Sequence, residues 1–152
     1  MLLKEIEHAR SYASIQHARF SDRIRMEFDQ LPKLFEHFYV PRLILQPIIE
    51  NAFEHGLENK ESDGLLRITF VEAHPFLEIH VEDNGDQADS NTLERITASI
   101  RNRDSNETTA LINIHRRLQI FFGKNSGLEI RRSRLGGLEV IIKLFTGTEK
   151  ES

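Results

Sequence analysis

The chain has 152 residues and a net charge of −4; 39% of it is hydrophobic and 29% charged, the profile of an ordinary globular protein. One domain of this size buries a core without staples, and the lack of cysteine excludes disulfides, thiolate metal sites and a cysteine nucleophile. The acidic balance argues against nucleic acid as a partner, because the basic stretch at Arg131, Arg132 and Arg134 is too small to reverse it.

No apolar run reaches the roughly 18 residues of a membrane span, and the start MLLKEIEHAR lacks a signal-peptide core. The chain is expected to be soluble as it stands, and its direct entry into a helix suits a piece of a membrane protein. Residues 2–20 place Leu3, Ile6, Ala9, Arg10, Ala13 and Ile15 at helical spacing, which predicts a helix with one apolar stripe. In "DRIRMEFDQL" (22–31), Ile24, Met26 and Phe28 alternate with Arg23, Arg25 and Glu27, the period of a half-buried strand at 23–29 that Pro32 closes. Segment 41–56 predicts a helix opening on Pro41 and ending at Gly56, with Pro47 kinking or shortening its first turn. Two strands follow, at 65–72 and 76–82, joined about His74-Pro75. Between 86 and 109 the large apolar residues are only Leu93, Ile96 and Ile100, so this stretch reads as a mobile loop carrying one short helix. A helix at 110–123 stops at Gly123, and strands at 127–134 and 138–145 form a last hairpin about Gly136-Gly137. This order predicts an α+β fold: a two-layer α/β sandwich, with a mainly antiparallel sheet and helices on one face.

Two stretches carry polar groups that such a fold does not require. "LILQPIIENAFEHG" (43–56) is apolar enough for a core helix, yet it holds Glu50, Asn51, Glu54 and His55. On a helical wheel Leu45, Ile48, Ile49 and Ala52 share the core face, Asn51 and His55 lie together at its margin, and Glu50 and Glu54 lie opposite. A solvated polar face fits this pattern. So does a ligand at the margin, since asparagine is a poor helix former that usually has a partner in such a place. "HVEDNGD" (80–86) ends a strand in Asp83-Asn84-Gly85, which is either a tight turn or a carboxylate aimed into a pocket.

Together, Arg19, Phe20, Asp22 and Arg23, the run from Pro41 to Gly56, "VEDNG" and "NIHRRLQIFFG" resemble the sensor histidine kinases of the LytS/YesM type. The resemblance covers nearly the whole chain in the right order and spacing. It implies the Bergerat sandwich of the GHKL (HATPase) ATP-binding catalytic domain at 21–148, preceded at 1–20 by the end of a helical dimerisation region. ATP and Mg²⁺ are the cofactors it implies. By the same resemblance Asn51 holds the metal, His55 lines the phosphate or adenine side, and Asp83 accepts a hydrogen bond from the adenine amino group. Gly85 lets the backbone approach the base, Asn113 lies beside the phosphates, Gly137 belongs to the final Gly-Thr motif, and 86–109 is the ATP lid. The γ-phosphate would pass to a histidine outside this chain: the NPHFxxN motif is absent, and neither His8 nor His17 has its context. Implied partners are a response regulator protein and a second copy, joined through the N-terminal helical region of the full-length protein. The implied place is the cytoplasmic domain of a membrane-anchored bacterial receptor.

The chain departs from the pattern at Glu54, where a basic residue is usual, and at Gln87, Thr108 and Ala110, which stand in glycine positions. Leu138 replaces the threonine after Gly137. These departures keep open a second function, a degenerate GHKL module with weak or no ATP binding that serves as a binding or dimerisation partner. Other chemistries lack their motifs: there is no HExxH, no GxSxG and no GxxxxGK[ST].

Overall fold

The computed structural model describes residues 1–20, 23–57, 60–85 and 110–147, except for the side chain of His55. The expected lid at 86–109, with Gln87 and Thr108, lies outside the described residues.

Alternating apolar residues build one five-stranded sheet in the order β1-β2-β3-β5-β4. Its strands are β1 (Ile24–Phe28), β2 (Gly64–Ala73), β3 (Phe76–Asp83), β4 (Gly127–Arg132) and β5 (Leu138–Phe145). β1 runs parallel to β2, and the other neighbours are antiparallel. The register sets Ile68 opposite Val81 and Val81 opposite Val140, so one face is continuously apolar. Helices α1 (Leu2–Phe20), α2 (Gln46–Ala52) and α3 (Ala110–Phe122) bury that face in a single core. The other face carries Glu27, Arg67, Glu78, His80, Glu82, Glu139 and Lys143. This is the α+β sandwich that the alternation predicts. Among the described residues no helix is long and apolar enough to cross a membrane.

The α1 stripe is Leu2, Ile6, Ala9, Ala13 and Phe20. Leu2 takes the place expected for Leu3, and Ile15 is 64% exposed, because two residues past Ala13 the helix has turned by about 200°. At the far end Phe20 stacks on Phe53 with ring centroids 5.8 Å apart. Glu54 is exposed and Glu50 half-buried; burial raises the pKa of the α1 residue Tyr12, and the charges of these two carboxylates raise it further.

The helix expected at 41–56 is shorter and starts later. Leu43 adopts a left-handed φ of 56°, and a helix running through it would drive the Pro47 ring into the Leu43 carbonyl. The regular turns therefore begin at Gln46, with Pro47 in the first one. Nor does Gly56 cap the helix. The chain continues through a π-helical turn, Phe53–Leu57, of the kind that often marks functional sites. The Arg117 guanidinium donates to the carbonyls of Arg42 and Leu43 and so ties this bend to α3.

The end of α3 is the expected one: Gly123 has a φ of +101°, and its amide donates to Gln119 O at 2.9 Å. β4 stops at Arg132 rather than 134, because Ser133 enters the turn and its N–H donates to Gly137 O at 2.8 Å.

His115 fastens α3 to β4. Its Nδ1 accepts the Leu128 amide at 2.9 Å, and a Cβ on Gly127 would meet the ring at 2.6 Å. Burial first, and Arg116 second, lower the pKa of this imidazole. The unfolded chain therefore takes the proton first. Stability is expected to be full above the ordinary value of 6.5 and to fall as pH drops from there toward the lower folded value. Replacing His115 with Ala leaves the Leu128 N–H without its acceptor and should cost roughly 1–3 kcal/mol in denaturant unfolding. The loss of stability between about pH 7.5 and 5.5 should shrink in the variant; an unchanged slope would assign it to other histidines.

Candidate functional site

β3 is apolar on its core side until its last residue, Asp83, which is 6% exposed. Its Oδ1 accepts the amide of Gly85 at 2.8 Å and that of Leu138 at 3.4 Å. Its backbone carbonyl accepts from Gly137 N at 3.1 Å. Burial raises the Asp83 pKa, and the hydrogen bonds from Gly85 and Leu138 only partly offset that. Among the described residues both of its side-chain hydrogen bonds fall on Oδ1.

The neighbouring Asn84 follows the strand. Its Oδ1 accepts from Leu65 N at 2.8 Å and its Nδ2 donates to Asp63 O at 2.7 Å, which anchors the end of β3 to the start of β2. The structure thus assigns no turn to Asn84, and the Asp83 carboxylate points to the core side of the sheet.

Glycines from three segments make room for the carboxylate. A Cβ on Gly137 would overlap Asp83 Oδ1, and one on Gly85 would overlap the backbone of Gly56. A Cβ on Gly56 would come within 2.9 Å of Asp83 Oδ1. Bare backbone thus meets the carboxylate from the π turn, from the end of β3 and from the approach to β5. Gly56 joins this cluster although its position in the sequence reads as a helix cap. Only a glycine following a core helix was there to flag it, and that signal does not separate a cap from a close approach.

The structure brings Asp83, Gly85 and Gly137 into contact. Asn51 is half-buried on α2, which packs against β3. Asn113 is exposed in the first turns of α3. Neither asparagine side chain is hydrogen-bonded to the Asp83 cluster. His55 falls on the π turn, and its side chain lies outside the described residues. Among the described residues no group of three or more His, Cys, Asp or Glu side chains could hold a metal ion. A cation at this site would rest on an amide oxygen such as that of Asn51, a suitable hard ligand for Mg²⁺.

No family profile matches the chain. It is similar to the sensor histidine kinase YpdA of Escherichia coli, 31% identical over 133 residues, which is 88% of this chain and 22% of YpdA. It is also similar to the sensor protein LytS of Staphylococcus saprophyticus, 30% identical over 135 residues, 89% of this chain and 23% of LytS. Over most of its length the chain resembles the LytS/YesM-type sensor histidine kinases. It spans less than a quarter of the length of these two relatives. The ATP-binding domain of PrrB from Mycobacterium tuberculosis superposes with a TM-score of 0.57 over 90% of each chain at 17% identity, which shows a shared fold. The catalytic domain of the histidine kinase ThkA shares the same α+β sandwich, with a TM-score of 0.64 over 95% of this chain at 14% identity.

In a fold of this shape, the buried Asp83 should lower the stability of the empty domain. Its folded pKa lies above the ordinary 3.8, so the cost of ionising it appears as pH rises through that folded value and is absent below 3.8. Asp83→Asn is expected to raise the thermal midpoint at neutral pH, with the gap to wild type closing in acid. A lower midpoint at neutral pH would mean that the carboxylate stabilises the empty domain. Gly137→Ala should act in the opposite sense and destabilise by about 1–3 kcal/mol, the range for overpacking, as read by urea unfolding.

Proposed function

We propose that the chain is the ATP-binding catalytic region of a two-component sensor histidine kinase and holds Mg-ATP between α2 and the Asp83 end of the sheet. The observation that carries this reading is the Asp83 cradle: a buried carboxylate with one oxygen taken up by backbone amides and glycine backbone around it. A carboxylate only accepts hydrogen bonds, so it suits the exocyclic amino group of adenine and repels the carbonyl that guanine presents at the same ring position. Gly85 and Gly137 let the base approach the backbone. Asn51 would supply an amide oxygen to Mg²⁺; by the family resemblance His55 would line the phosphate or adenine side and Asn113 would stand beside the phosphates. Phosphoryl transfer asks a protein mainly for position and electrostatic stabilisation, which these groups provide without a nucleophile of their own.

The γ-phosphate passes to a histidine outside this chain and then to a response regulator. Residues 1–20 close a helical dimerisation region through which the full-length protein pairs, and 21–148 form the catalytic domain. The whole serves as the cytoplasmic part of a membrane-anchored receptor. Leu138 supports a working site over a degenerate one. It stands where the family has threonine, but its contact to Asp83 is made by the backbone N–H, which any residue other than proline supplies.

Calorimetry of Mg-ATP binding tests this reading. Asn51→Ala should weaken binding with Mg²⁺ present by about tenfold to a hundredfold, or roughly 1.5–3 kcal/mol, and change metal-free binding little. If wild type binds no Mg-ATP and Asn51→Ala changes nothing, the chain is the degenerate binding or dimerisation module instead.

A further inference from the structure

We propose that His80 is a positioning residue for purine selection: bridged to Glu78 and Glu139 on the sheet face that the helices leave open, it fixes the β3–β5 junction that presents Asp83. The proposal rests on the nucleotide reading above. His80 and Glu139 are 8% and 7% exposed, well buried for a face on which no helix among the described residues packs. Nδ1 of His80 lies 3.0 Å from Glu139 Oε2, and Nε2 lies 2.9 Å from Glu78 Oε1. Carboxylates only accept, so both contacts are attractive together only with a proton on each ring nitrogen. The second oxygen of Glu139 accepts from Arg131 Nε on β4. Burial works against the Glu139 charge, but the hydrogen bonds from His80 and Arg131 hold its pKa below the ordinary 4.5.

The position of this bridge in the ladder gives it a function. Glu82 opposite Glu139 is the last β3–β5 pair. One residue further, Asp83 turns to the other face and takes the Gly137 and Leu138 amides. Ser133 Oγ adds a second tie by donating to Glu82 Oε2 at 2.7 Å. The β4–β5 hairpin is thus clamped to β3 on the open face, directly behind the cradle. The Leu138 amide reaches Asp83 Oδ1 at 3.4 Å, so a few tenths of an ångström of slippage removes that bond. A buried charged network stabilises a fold no better than apolar packing of equal volume; its best-attested use is to fix register. Here the register being fixed belongs to the strand end that reads the base.

The test is Mg²⁺-dependent binding of ADP and GDP by calorimetry to the full chain, in wild type, His80→Phe and Glu139→Gln. His80→Phe keeps an aromatic ring and removes the contacts to Glu78 and Glu139. It should lower ADP affinity about tenfold and leave GDP affinity within about twofold, narrowing the preference. Glu139→Gln should shift the ratio in the same direction by less. Equal losses for both nucleotides, or an unchanged ratio, would overturn the proposal by leaving His80 only a structural part. If circular dichroism shows His80→Phe unfolded, the Glu139→Gln ratio decides. Wild type without adenine preference would refute the nucleotide reading itself, and the positioning role would fall with it. A wild-type preference that survives both variants refutes the positioning role alone.

Discussion

A carboxylate kept out of water governs the site end of this molecule. Asp83 ends a strand whose other core-side residues are apolar, and among the described residues its charge is met by backbone, the Gly85 and Leu138 amides on Oδ1. Backbone can come that close only where side chains are missing. The π turn, the end of β3 and the start of β5 each contribute a glycine at the point of approach. Burial without full compensation leaves the group strained electrostatically, as its raised pKa records. A domain selected only for stability would fill that place with an apolar side chain.

The two faces of the sheet divide the work. The apolar face seats α1, α2 and α3 and holds the α2 margin near the end of β3. The open face carries paired charges, among them Arg67 with Glu27 at 2.7 Å and Lys143 with Glu129 at 3.2 Å. These exposed pairs contribute little each. The bridge from His80 to Glu78 and Glu139 differs, because it is buried and sits behind the cradle. Since the sheet is one side chain thick, a tie on one face constrains what the next residue does on the other.

Much of this was legible in the sequence, and the exceptions have causes. Every strand announced itself by alternation, and Gly123 marked the end of α3 because a helix that stops on glycine needs nothing distant to do so. The bounds of α2 were read from Pro41 and Gly56 as start and cap signals. Pro47 flagged the shortening, and its demand on the carbonyl of Leu43 moves the start to Gln46. Asp83 stood out as a charge at a strand end, yet sequence alone could not choose between turn and pocket, because the burial of the carboxylate and the Asn84 tie to the start of β2 both depend on strand pairing. Gly56 and the His80–Glu139 bridge were not legible. The partners of Gly56 are brought to it by tertiary packing, and His80 and Glu139 lie 59 residues apart, beyond any local pattern.

The central claim is that Asp83 exists to read an amino group on a purine. Inosine triphosphate differs from ATP there, with a carbonyl in place of the exocyclic amine. Titrating the chain with each nucleotide in Mg²⁺ by calorimetry measures that one contact. The account predicts that ATP binds and that inosine triphosphate binds about tenfold or more weakly, the loss expected when a hydrogen bond to a charged group is removed. Equal affinity for the two, or binding of neither, would contradict it.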